Sequence, residues 1–266
     1  PLNKDHVVYV WFDALLSYLT GAGKNQEFWP ANIHLLGKDN GWFHAVIWPA
    51  MLLASGYKLP KTVFIHGFLT FNGQKISKSL GNVISPEYLV NKYSSDSIRY
   101  YVLRNFVFGE DGDFSEKVLA ERHNNELANK LGNLVSRVST LAEKYGLKEV
   151  NFKKINVDIH ISNVVRDVSE LIERFEFDKA LNLIFAFIDT LNQWVQDKKI
   201  WETGSKEDLF ELATGIRLAT ILLWPFIPET CERISKTFGF KISLSDIEKP
   251  LKVIKIKKSE ILFKKI

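Results

Sequence analysis

Hydrophobic residues in the first quarter of the chain form short uninterrupted runs, at 6–12, 33–37 and 62–67. Continuous apolar runs of this length are typical of parallel strands that are buried on both faces. Between the second and third runs, residues 42–55 read as a helix that ends at Gly56. Strand, helix and strand predict half of a doubly wound α/β sheet, in which ligands bind beyond the carboxyl ends of the strands.

An alternating stretch at 68–71 runs into Asn72-Gly73, which is the strongest short signal for a β-hairpin. The segment that follows, at 75–79, reads Lys-Ile-Ser-Lys-Ser. Ammonium groups, hydroxyls and backbone amides on such a loop can bind phosphate oxygens. Most short Lys/Ser runs are solvated surface loops, and this segment taken alone favours that interpretation.

Beyond residue 85 the apolar positions change to a helical period. A short helix should begin at Ser85-Pro86-Glu87 and another at Asp96, and a long helix should run from the capping-box-like 113–116 to Tyr145. Its apolar stripe has four-three spacing and comprises Leu127, Leu131, Leu134, Val138, Leu141 and Tyr145.

Three further amphipathic helices follow, the first with a stripe over 161–175, the second capped by Asp178 and the third by Ser205. Pro228 starts a last short helix, which Gly239 closes. Amphipathic helices with short connections pack as bundles. The sequence therefore predicts an α/β part followed by an all-α part.

Composition is ordinary for a globular protein, with 46% hydrophobic and 25% charged residues among 266. This length allows about two domains. The single cysteine, Cys231, excludes an internal disulfide or a multi-cysteine zinc site within these residues and favours a reducing, cytoplasmic location. The sequence shows no secretory signal and no apolar run long enough to span a membrane, so we expect no membrane partner.

The net charge of +4 is unevenly distributed. Residues 249–266 contain seven lysines and one glutamate, which is +6, so the remainder carries −2. The chain as a whole is too nearly neutral to indicate a nucleic-acid binder, whereas this tail is either solvated or a local nucleic-acid site. Within the tail, 252–257 alternates like an edge strand and 261–263 forms an apolar tether.

The Lys/Ser segment and its flanks resemble a known family. Residues 75–79 are similar to the KMSKS signature of class I aminoacyl-tRNA synthetases, with Ile76 in the place of the usual Met. The flanks resemble methionyl-tRNA synthetases in order and spacing, at Val10–Ala14, Gly37–Asp39, Phe43–His44, Trp48–Ala50, Phe108–Ser115 and Leu127–Leu134. The family places a His-Ile-Gly-His element upstream, and these residues contain none. The chain therefore resembles a C-terminal half, and we expect an N-terminal half or subunit that completes the catalytic domain.

The resemblance implies four parts. These are the C-terminal half of a Rossmann-like catalytic domain (1–67), the KMSKS loop with a stem-contact helical region (68–115), a helix-bundle anticodon-binding domain (116–245) and a basic C-terminal tail (246–266). It also implies the reaction, in which the methionine carboxylate attacks the α-phosphate of ATP and the aminoacyl group then passes to tRNA(Met). The implied partners are methionine, ATP with Mg²⁺ as substrate, and tRNA(Met); no resident metal and no structural zinc are expected.

The catalytic residues implied by the resemblance lie in the Lys/Ser segment. Attack on a crowded, negatively charged phosphate needs cations and hydrogen-bond donors that act as pyrophosphate leaves. Lys78 is expected to be the main transition-state residue and Lys75 a helper, with Ser77 and Ser79 as donors. Ile76 is expected to have only a packing role.

The methionine pocket has to recognise a flexible apolar chain with a weak sulfur acceptor, so aromatic walls suit it. The positions that match the family's pocket are Trp11, Ala14, Tyr18, His44 and Trp48. Gly37 and Asp39 follow a predicted strand, where Asp39 is expected to bind the adenylate ribose or the substrate ammonium and could also cap a helix. The aromatic residues could instead be ordinary core, which we prefer for Trp42 and Phe43; Asn40 is polar where some relatives carry a branched apolar residue.

Reading an anticodon requires stacking surfaces and hydrogen bonds to the edges of unstacked bases. Asn133 and Arg137 lie one helical turn apart on the predicted exposed face, and Trp201 follows a predicted helix end. The resemblance places all three among the residues that recognise a CAU anticodon. Without the resemblance, Asn133 would be interpreted as a surface residue and Trp201 as a structural residue that fills a hinge.

Two other functions stay open. The chain could be a tRNA-binding module with a non-catalytic half site, although the intact Lys75–Ser79 segment argues against a loss of catalytic function. It could also belong to a synthetase for a related apolar amino acid, although Val10–Ala14 and Phe108–Ser115 favour methionine.

Overall fold

The structure is a computed structural model, and it describes residues 3–23, 27–71, 73–76, 85–147, 161–247 and 256–266. These residues form two compact units, one of 1–70 with 109–112 and one of 71–108 with 113–266. The division into four parts expected from the sequence stays a prediction. Among the described residues, no helix has both the length and the apolar character needed to cross a membrane.

A two-stranded parallel sheet lies at the centre of the first unit. Strand β1 (His34–Gly37) pairs in register with β2 (Val63–His66). The connection contains a 3-10 turn (Lys38–Asn40), a π-helical turn (Phe43–Ile47) and helix α3 (Trp48–Ala54). This confirms the strand–helix–strand prediction and places the carboxyl ends of both strands at one edge of the sheet.

The small core of the first unit forms where two short helices, α1 (Val10–Ala14) and α2 (Ser17–Gly21), meet α3. Its fully buried side chains are Leu15, Trp48 and Leu52. Partly buried side chains surround them, among which are Trp11, Leu19, Trp29, Met51 and Tyr57. Aromatic and aliphatic side chains therefore contribute about equally to this packing.

The predicted strand over 6–12 is wrong. Residues 6–9 have no regular secondary structure, and α1 begins at Val10. Val7 and Val8 are 93% and 77% exposed. A strand needs a neighbour to pair its backbone N–H and C=O groups, and no described strand lies beside this run. The parallel sheet consequently has two described strands instead of three.

A second sheet contains β3 (Leu69–Phe71), β4 (Gln74–Lys75) and β5 (Gly112–Phe114) in the order β4–β3–β5. Gly73, between β3 and β4, has a φ of +71°, which glycine adopts without steric cost. The hairpin predicted at Asn72-Gly73 is therefore confirmed. The boundaries between the two units fall inside β3 and β5.

The rest of the second unit is mainly helical. Its described helices are α4 (Pro86–Tyr93), α5 (Ser95–Asn105), α6 (Glu116–Arg122), α7 (Asn133–Lys144), α8 (Ile161–Glu173), α9 (Phe177–Asp197), α10 (Ile200–Thr203), α11 (Lys206–Leu223) and α12 (Pro228–Phe238). A π-helical segment, His123–Gly132, joins α6 to α7. The long helix predicted to end near Tyr145 is confirmed, with this π-helical segment in its middle.

Helix α11 is the centre of the bundle. Every residue from Leu212 to Leu223 is buried, and α7, α8, α9 and α12 pack around it. A helix that is covered on all sides belongs in a protein interior. The stripes predicted on the long helix and on α9 and α11 face this core, except that Tyr145 is only partly buried. The predicted helix bundle is confirmed.

Serine caps were predicted correctly, and acidic caps were not. Ser85 and Ser205 accept hydrogen bonds from first-turn backbone N–H groups of α4 and α11, at 3.3 and 3.2 Å. Asp178 lies within the first turn of α9, which has no side-chain cap. For α6 the cap is Ser115.

The caps expected at Asp113 and Glu116 are therefore wrong, because both carboxylates have other partners. Asp113 Oδ1 accepts a hydrogen bond of 2.8 Å from the backbone N–H of Gly73. Glu116 Oε1 accepts from Lys92 Nζ at 2.7 Å, which lowers the pKa of Glu116 and raises that of Lys92. The first bond ties β5 to the hairpin.

Polar contacts join helix α5 to the start of α12. Asp96 is buried and accepts a hydrogen bond of 2.6 Å from the Thr230 backbone N–H. The Arg99 guanidinium donates to the carbonyls of Pro225 and Phe226 at 2.7 and 3.0 Å. These contacts explain why α5 falls within the same unit as the bundle.

The apolar tether predicted at residues 261–263 is confirmed for one residue, Phe263. Phe263 is buried in the bundle core, Leu262 is partly buried, and Ile261 is 71% exposed. The edge strand predicted over 252–257 falls largely on residues 251–255, which lie outside the described residues.

Helices α9 and α11 approach closely because Gly215 has no side chain. A Cβ atom at Gly215 would lie 2.6 Å from Leu191 Cδ2 and 3.1 Å from Cδ1, and Leu191 is itself fully buried. We expect Gly215→Ala to lower the free energy of unfolding by about 1–3 kcal/mol, the usual cost of overpacking a core. Denaturant-induced unfolding measures it.

The control is the same substitution in a Leu191→Ala background, where the clash is removed. There, Gly215→Ala should be neutral or stabilise the chain by up to about 1 kcal/mol, because alanine is the better helix former. An equal cost in both backgrounds would show that the α9–α11 contact is not the cause.

Candidate functional site

Aromatic rings from α2, β1 and the connection to α3 gather in the first unit. The Tyr18 ring centroid lies 4.5 Å from that of His34, 5.6 Å from that of His44 and 6.0 Å from that of Trp48. Trp11 makes an edge contact with His44 at 6.0 Å. Four of the five predicted pocket residues are thus brought together. The fifth, Ala14, is exposed on α1.

Two hydrogen bonds fix the His44 ring, which is 3% exposed. Nδ1 lies 3.0 Å from the Asn40 carbonyl, which can only accept, so Nδ1 carries a proton. In this tautomer Nε2 accepts from the Tyr18 hydroxyl at 2.8 Å. Tyr18 is consequently held in a defined orientation at the edge of the cluster.

Sequence reasoning missed two members of this cluster, His34 and Trp29. Trp48 Nε1 donates to His34 Nε2 at 3.3 Å, and the Trp29 ring lies 5.9 Å from that of Trp48. Burial, and then the nearby His44, lower the pKa of His34, so it is neutral at pH 7. The available signal was a histidine at a strand position where an apolar residue is usual.

A cavity of about 380 Å³ opens beside this cluster and is lined in part by Tyr18, Trp29 and His34. Ala22 and Phe28 add apolar side chains to its wall. Small-molecule sites in proteins are usually apolar clefts with a few fixed polar groups. Of the predicted pocket residues, Tyr18 is among the described lining residues of this cavity.

Trp42 was expected in the core, and that expectation is wrong because its side chain is 64% exposed. Gly41, His44 and Trp48 form the buried face of this segment, and Trp42 lies off that face. Phe43 is partly buried and stacks on Trp11, with ring centroids 4.6 Å apart.

Gly37 and Asp39 lie at the carboxyl end of β1. A Cβ atom at Gly37 would be 2.9 Å from Asp39 Oδ1, so the close approach of this carboxylate depends on glycine. Asp39 lies inside the 3-10 turn and does not cap it. Its exposed carboxylate is available to a ligand hydroxyl or ammonium at the edge where α/β sheets bind ligands.

A salt bridge that the sequence did not predict lies just beyond the carboxyl ends of β1 and β2. Lys38 Nζ is 2.6 and 2.7 Å from the two carboxylate oxygens of Asp111. The backbone N–H of Phe68 donates to Asp111 at 2.7 Å, and these bonds lower the pKa of Asp111. Gly67 permits the approach, because a Cβ atom there would lie 2.3 Å from the Glu110 backbone.

The predicted catalytic segment is described only at its base. The backbone of Lys75 ends β4, whereas the Lys75 side chain and residues Ser77, Lys78 and Ser79 lie outside the described residues. On one side of the segment, Gly73 is bonded to Asp113. The roles assigned to the segment stay predictions.

The three predicted anticodon residues lie on α7 or on a segment bonded to its end. Asn133 is exposed at the start of α7, Arg137 is partly buried one turn on, and Trp201 is 39% exposed on α10. The Tyr145 hydroxyl donates to the Trp201 carbonyl at 2.7 Å. A Cβ atom at Gly204 would lie 2.7 Å from the Tyr145 ring, which shows how closely α10 approaches.

Comparison with known proteins agrees with this organisation. Residues 1–139 match the family model of tRNA synthetases class I (M), and residues 158–265 match that of the anticodon-binding domain of tRNA ligases. Methionine–tRNA ligase of Caldanaerobacter subterraneus subsp. tengcongensis is 38% identical over 100% of this chain and 46% of its own length. The Thermotoga maritima enzyme is 38% identical over 95% of this chain and 42% of its own length.

The fold is similar to a solved structure of Mycobacterium tuberculosis methionyl-tRNA synthetase in complex with methionyl-adenylate. The TM-score is 0.89 at 31% identity, over 99% of this chain and 57% of that one. The chain spans about half the length of the curated relatives it matches. The family match over 1–139, the whole-chain identity and the shared fold together show that the chain belongs to the methionyl-tRNA synthetase family of class I tRNA synthetases.

Proposed function

We propose that this chain contributes the KMSKS loop, part of the methionine and ATP site, and the anticodon-binding domain of an ATP-dependent methionine–tRNA ligase. The observation that carries the proposal is the Tyr18–His44 pair, which is fixed inside an aromatic cluster beside a small cavity. In the same unit, Gly37 and Asp39 occupy the ligand-binding edge of the parallel sheet.

In this proposal the thioether of methionine packs against aromatic walls, to which its polarizable sulfur is well suited. Trp11, Ala14 and Tyr18 are at least partly accessible and contact the substrate. Trp48 is fully buried and supports Tyr18 and His34 from within the core. His44 Nε2 keeps the Tyr18 hydroxyl oriented.

The reaction begins when a carboxylate oxygen of methionine attacks the α-phosphorus of Mg²⁺-bound ATP and pyrophosphate leaves. Asp39 binds the adenylate ribose or the substrate ammonium. Lys78, assisted by Lys75 and by Ser77 and Ser79, stabilises the negative charge that moves onto the pyrophosphate. The 3′ end of tRNA(Met) then attacks the acyl carbon of the adenylate, and AMP leaves.

The remainder of the catalytic domain is proposed to cover the exposed apolar run at 7–12. Val7, Val8 and Phe12 are 93%, 77% and 57% exposed, and covering such side chains with protein is favourable. This N-terminal half or subunit would carry the His-Ile-Gly-His element of the family.

Anticodon recognition is assigned to the second unit. Trp201 offers a partly exposed ring for base stacking, and Asn133 and Arg137 offer donors for base edges. A charging assay of the chain combined with the upstream region of a full-length relative tests the whole proposal. Binding of tRNA without adenylate formation would favour the RNA-binding module, and charging with another apolar amino acid would favour a different synthetase.

Lys78→Ala in that reconstituted enzyme should slow ATP–pyrophosphate exchange by roughly 30- to 1,000-fold, because one well-placed electrostatic donor lowers a barrier by about 2–4 kcal/mol. Lys58→Ala is the control, since Lys58 is exposed and precedes β2, at the sheet edge opposite the ligand. Full exchange activity in the Lys78 variant would refute its catalytic role.

Tyr18→Phe should raise the KM for methionine by roughly five- to 150-fold and leave the KM for ATP nearly unchanged. The substitution removes the hydroxyl that His44 orients and that contacts the substrate in this proposal, and leaving a polar group of the bound substrate without its partner costs about 1–3 kcal/mol. Tyr57→Phe, at the edge of the same small core, is the matched control. Equal increases in both KM values would argue for a general structural defect.

Trp201→Ala should weaken binding of tRNA(Met) by about 1–3 kcal/mol, the usual contribution of one base stack. Trp224→Ala is a matched control, because the two rings are 39% and 40% exposed in the same unit. Both variants are compared with wild type in filter binding and in the tRNA dependence of charging. An unchanged dependence for Trp201→Ala would make Trp201 a structural residue.

A further inference from the structure

A cationic cleft lies in the second unit, between α12 and the C-terminal segment Ile256–Ile266, and the catalytic and anticodon assignments do not involve it. Its volume is about 290 Å³. The cations in its lining are Arg233, Lys236, Lys257 and Lys258. We refer to these four residues and the space between them as the C-terminal cleft.

The C-terminal segment is bound firmly to the bundle, so the cleft is a built feature and not the edge of a solvated tail. The backbone N–H of Lys257 donates to the Thr237 carbonyl at 2.9 Å, and that of Ser259 donates to Ser139 Oγ at 3.1 Å. The segment is also anchored at Phe263, which is buried in the bundle core.

The last residues of the segment are held as well. His123 Nε2 donates to the Lys264 carbonyl at 2.8 Å. The Asn124 side chain accepts from the Ile266 N–H at 3.0 Å and donates to the Ile266 carbonyl at 2.8 Å. Lys257 and Lys258 therefore stand at fixed backbone positions opposite α12.

The charge of the cleft is largely uncompensated. Arg233 donates to the neutral carbonyls of Ile261 and Leu262, at 2.8 and 3.1 Å, which orients the guanidinium without cancelling its charge. Within the described part of the chain, none of the four cations forms a salt bridge. Among the described lining residues Glu260 is the one carboxylate, so their four cations and one anion leave +3.

The residues that line the C-terminal cleft favour a phosphate group over a nucleobase as the ligand. Apart from the charged residues, the described lining consists of Thr237, Ser259 and Leu262, and no aromatic ring is among these described residues. Stacking of a base needs such a ring, whereas ammonium and guanidinium groups bind phosphate oxygens without reading sequence. The volume equals about ten water molecules at ~30 Å³ each, which suits hydrated phosphates.

We propose that the C-terminal cleft binds the sugar–phosphate backbone of the tRNA outside its anticodon. All its lining residues fall within 158–265, the stretch that matches an anticodon-binding domain. This inference rests on the proposed function, because it takes tRNA as the ligand of the second unit. The contact adds affinity independent of sequence and fixes the position of the RNA on the bundle.

The test is the binding of the full 266-residue chain to two transcripts, tRNA(Met) and the same tRNA with a changed anticodon, over a range of salt concentrations. Lys236→Gln/Lys258→Gln should weaken both complexes equally, by roughly tenfold at low salt. It should also reduce the slope of log K against log salt by about 1.4–1.8, or 0.7–0.9 for each lost phosphate contact. Lys58→Gln/Lys61→Gln, which removes two exposed lysines before β2, is the control.

Three results would overturn the inference. One is an unchanged slope and affinity, with Trp201→Ala still weakening tRNA(Met), which would leave the proposed function intact. Another is an effect confined to the transcript with the CAU anticodon. The third is a double variant that loses binding to a polyglutamate peptide while it binds both transcripts normally, which would indicate an acidic protein partner. If wild type bound neither transcript, both the inference and the RNA part of the proposed function would fall.

Discussion

The burial of helix α11 is the constraint on which most of the second unit depends. No residue from Leu212 to Leu223 is exposed, so each neighbouring helix must present an apolar stripe to it. The start of α12 is held by Asp96, which belongs to helix α5. The bundle is therefore joined to α5 through polar contacts.

The same connection continues toward the Lys/Ser segment at 75–79. Tyr101 on α5 accepts a hydrogen bond from the Ser115 N–H at 2.9 Å, next to β5. Asp113 on β5 in turn binds Gly73 at the hairpin tip. The hairpin from which the proposed catalytic lysines extend is thus attached to the core that supports the proposed RNA-binding residues.

The first unit has the opposite character. It has few fully buried apolar side chains, and it compensates with aromatic contacts and with hydrogen bonds that fix individual rings. It also leaves the apolar run at 7–12 in water. A small core with fixed polar groups is typical of a site that is organised for a ligand.

Structural features that depend on nearby residues in the sequence were predicted correctly. Features that depend on contacts with distant parts of the chain were missed. Amphipathic stripes such as that of the long helix follow from the 3.6-residue period, and serine caps follow from hydroxyl geometry within one turn. The strand over 6–12 failed because strand formation requires a neighbour.

The same distinction between local and long-range features applies to the predictions about the site. The resemblance to a family brought Trp11, Tyr18, His44 and Trp48 together correctly, but no local signal placed Trp29 in the cluster. The Lys38–Asp111 pair spans 73 positions of sequence, beyond the reach of any periodicity. Carboxylates were misjudged as caps because their longer-range partners, Gly73 and Lys92, could not be foreseen.

The most direct test of the central claim is hydrogen exchange at the backbone amides of residues 6–14, in the chain alone and after addition of the upstream region of a full-length relative. The account predicts rapid exchange in the chain alone and strong protection in the complex, appearing together with ATP–pyrophosphate exchange activity. Protection already present in the isolated chain, or full activity while these amides still exchange rapidly, would contradict it.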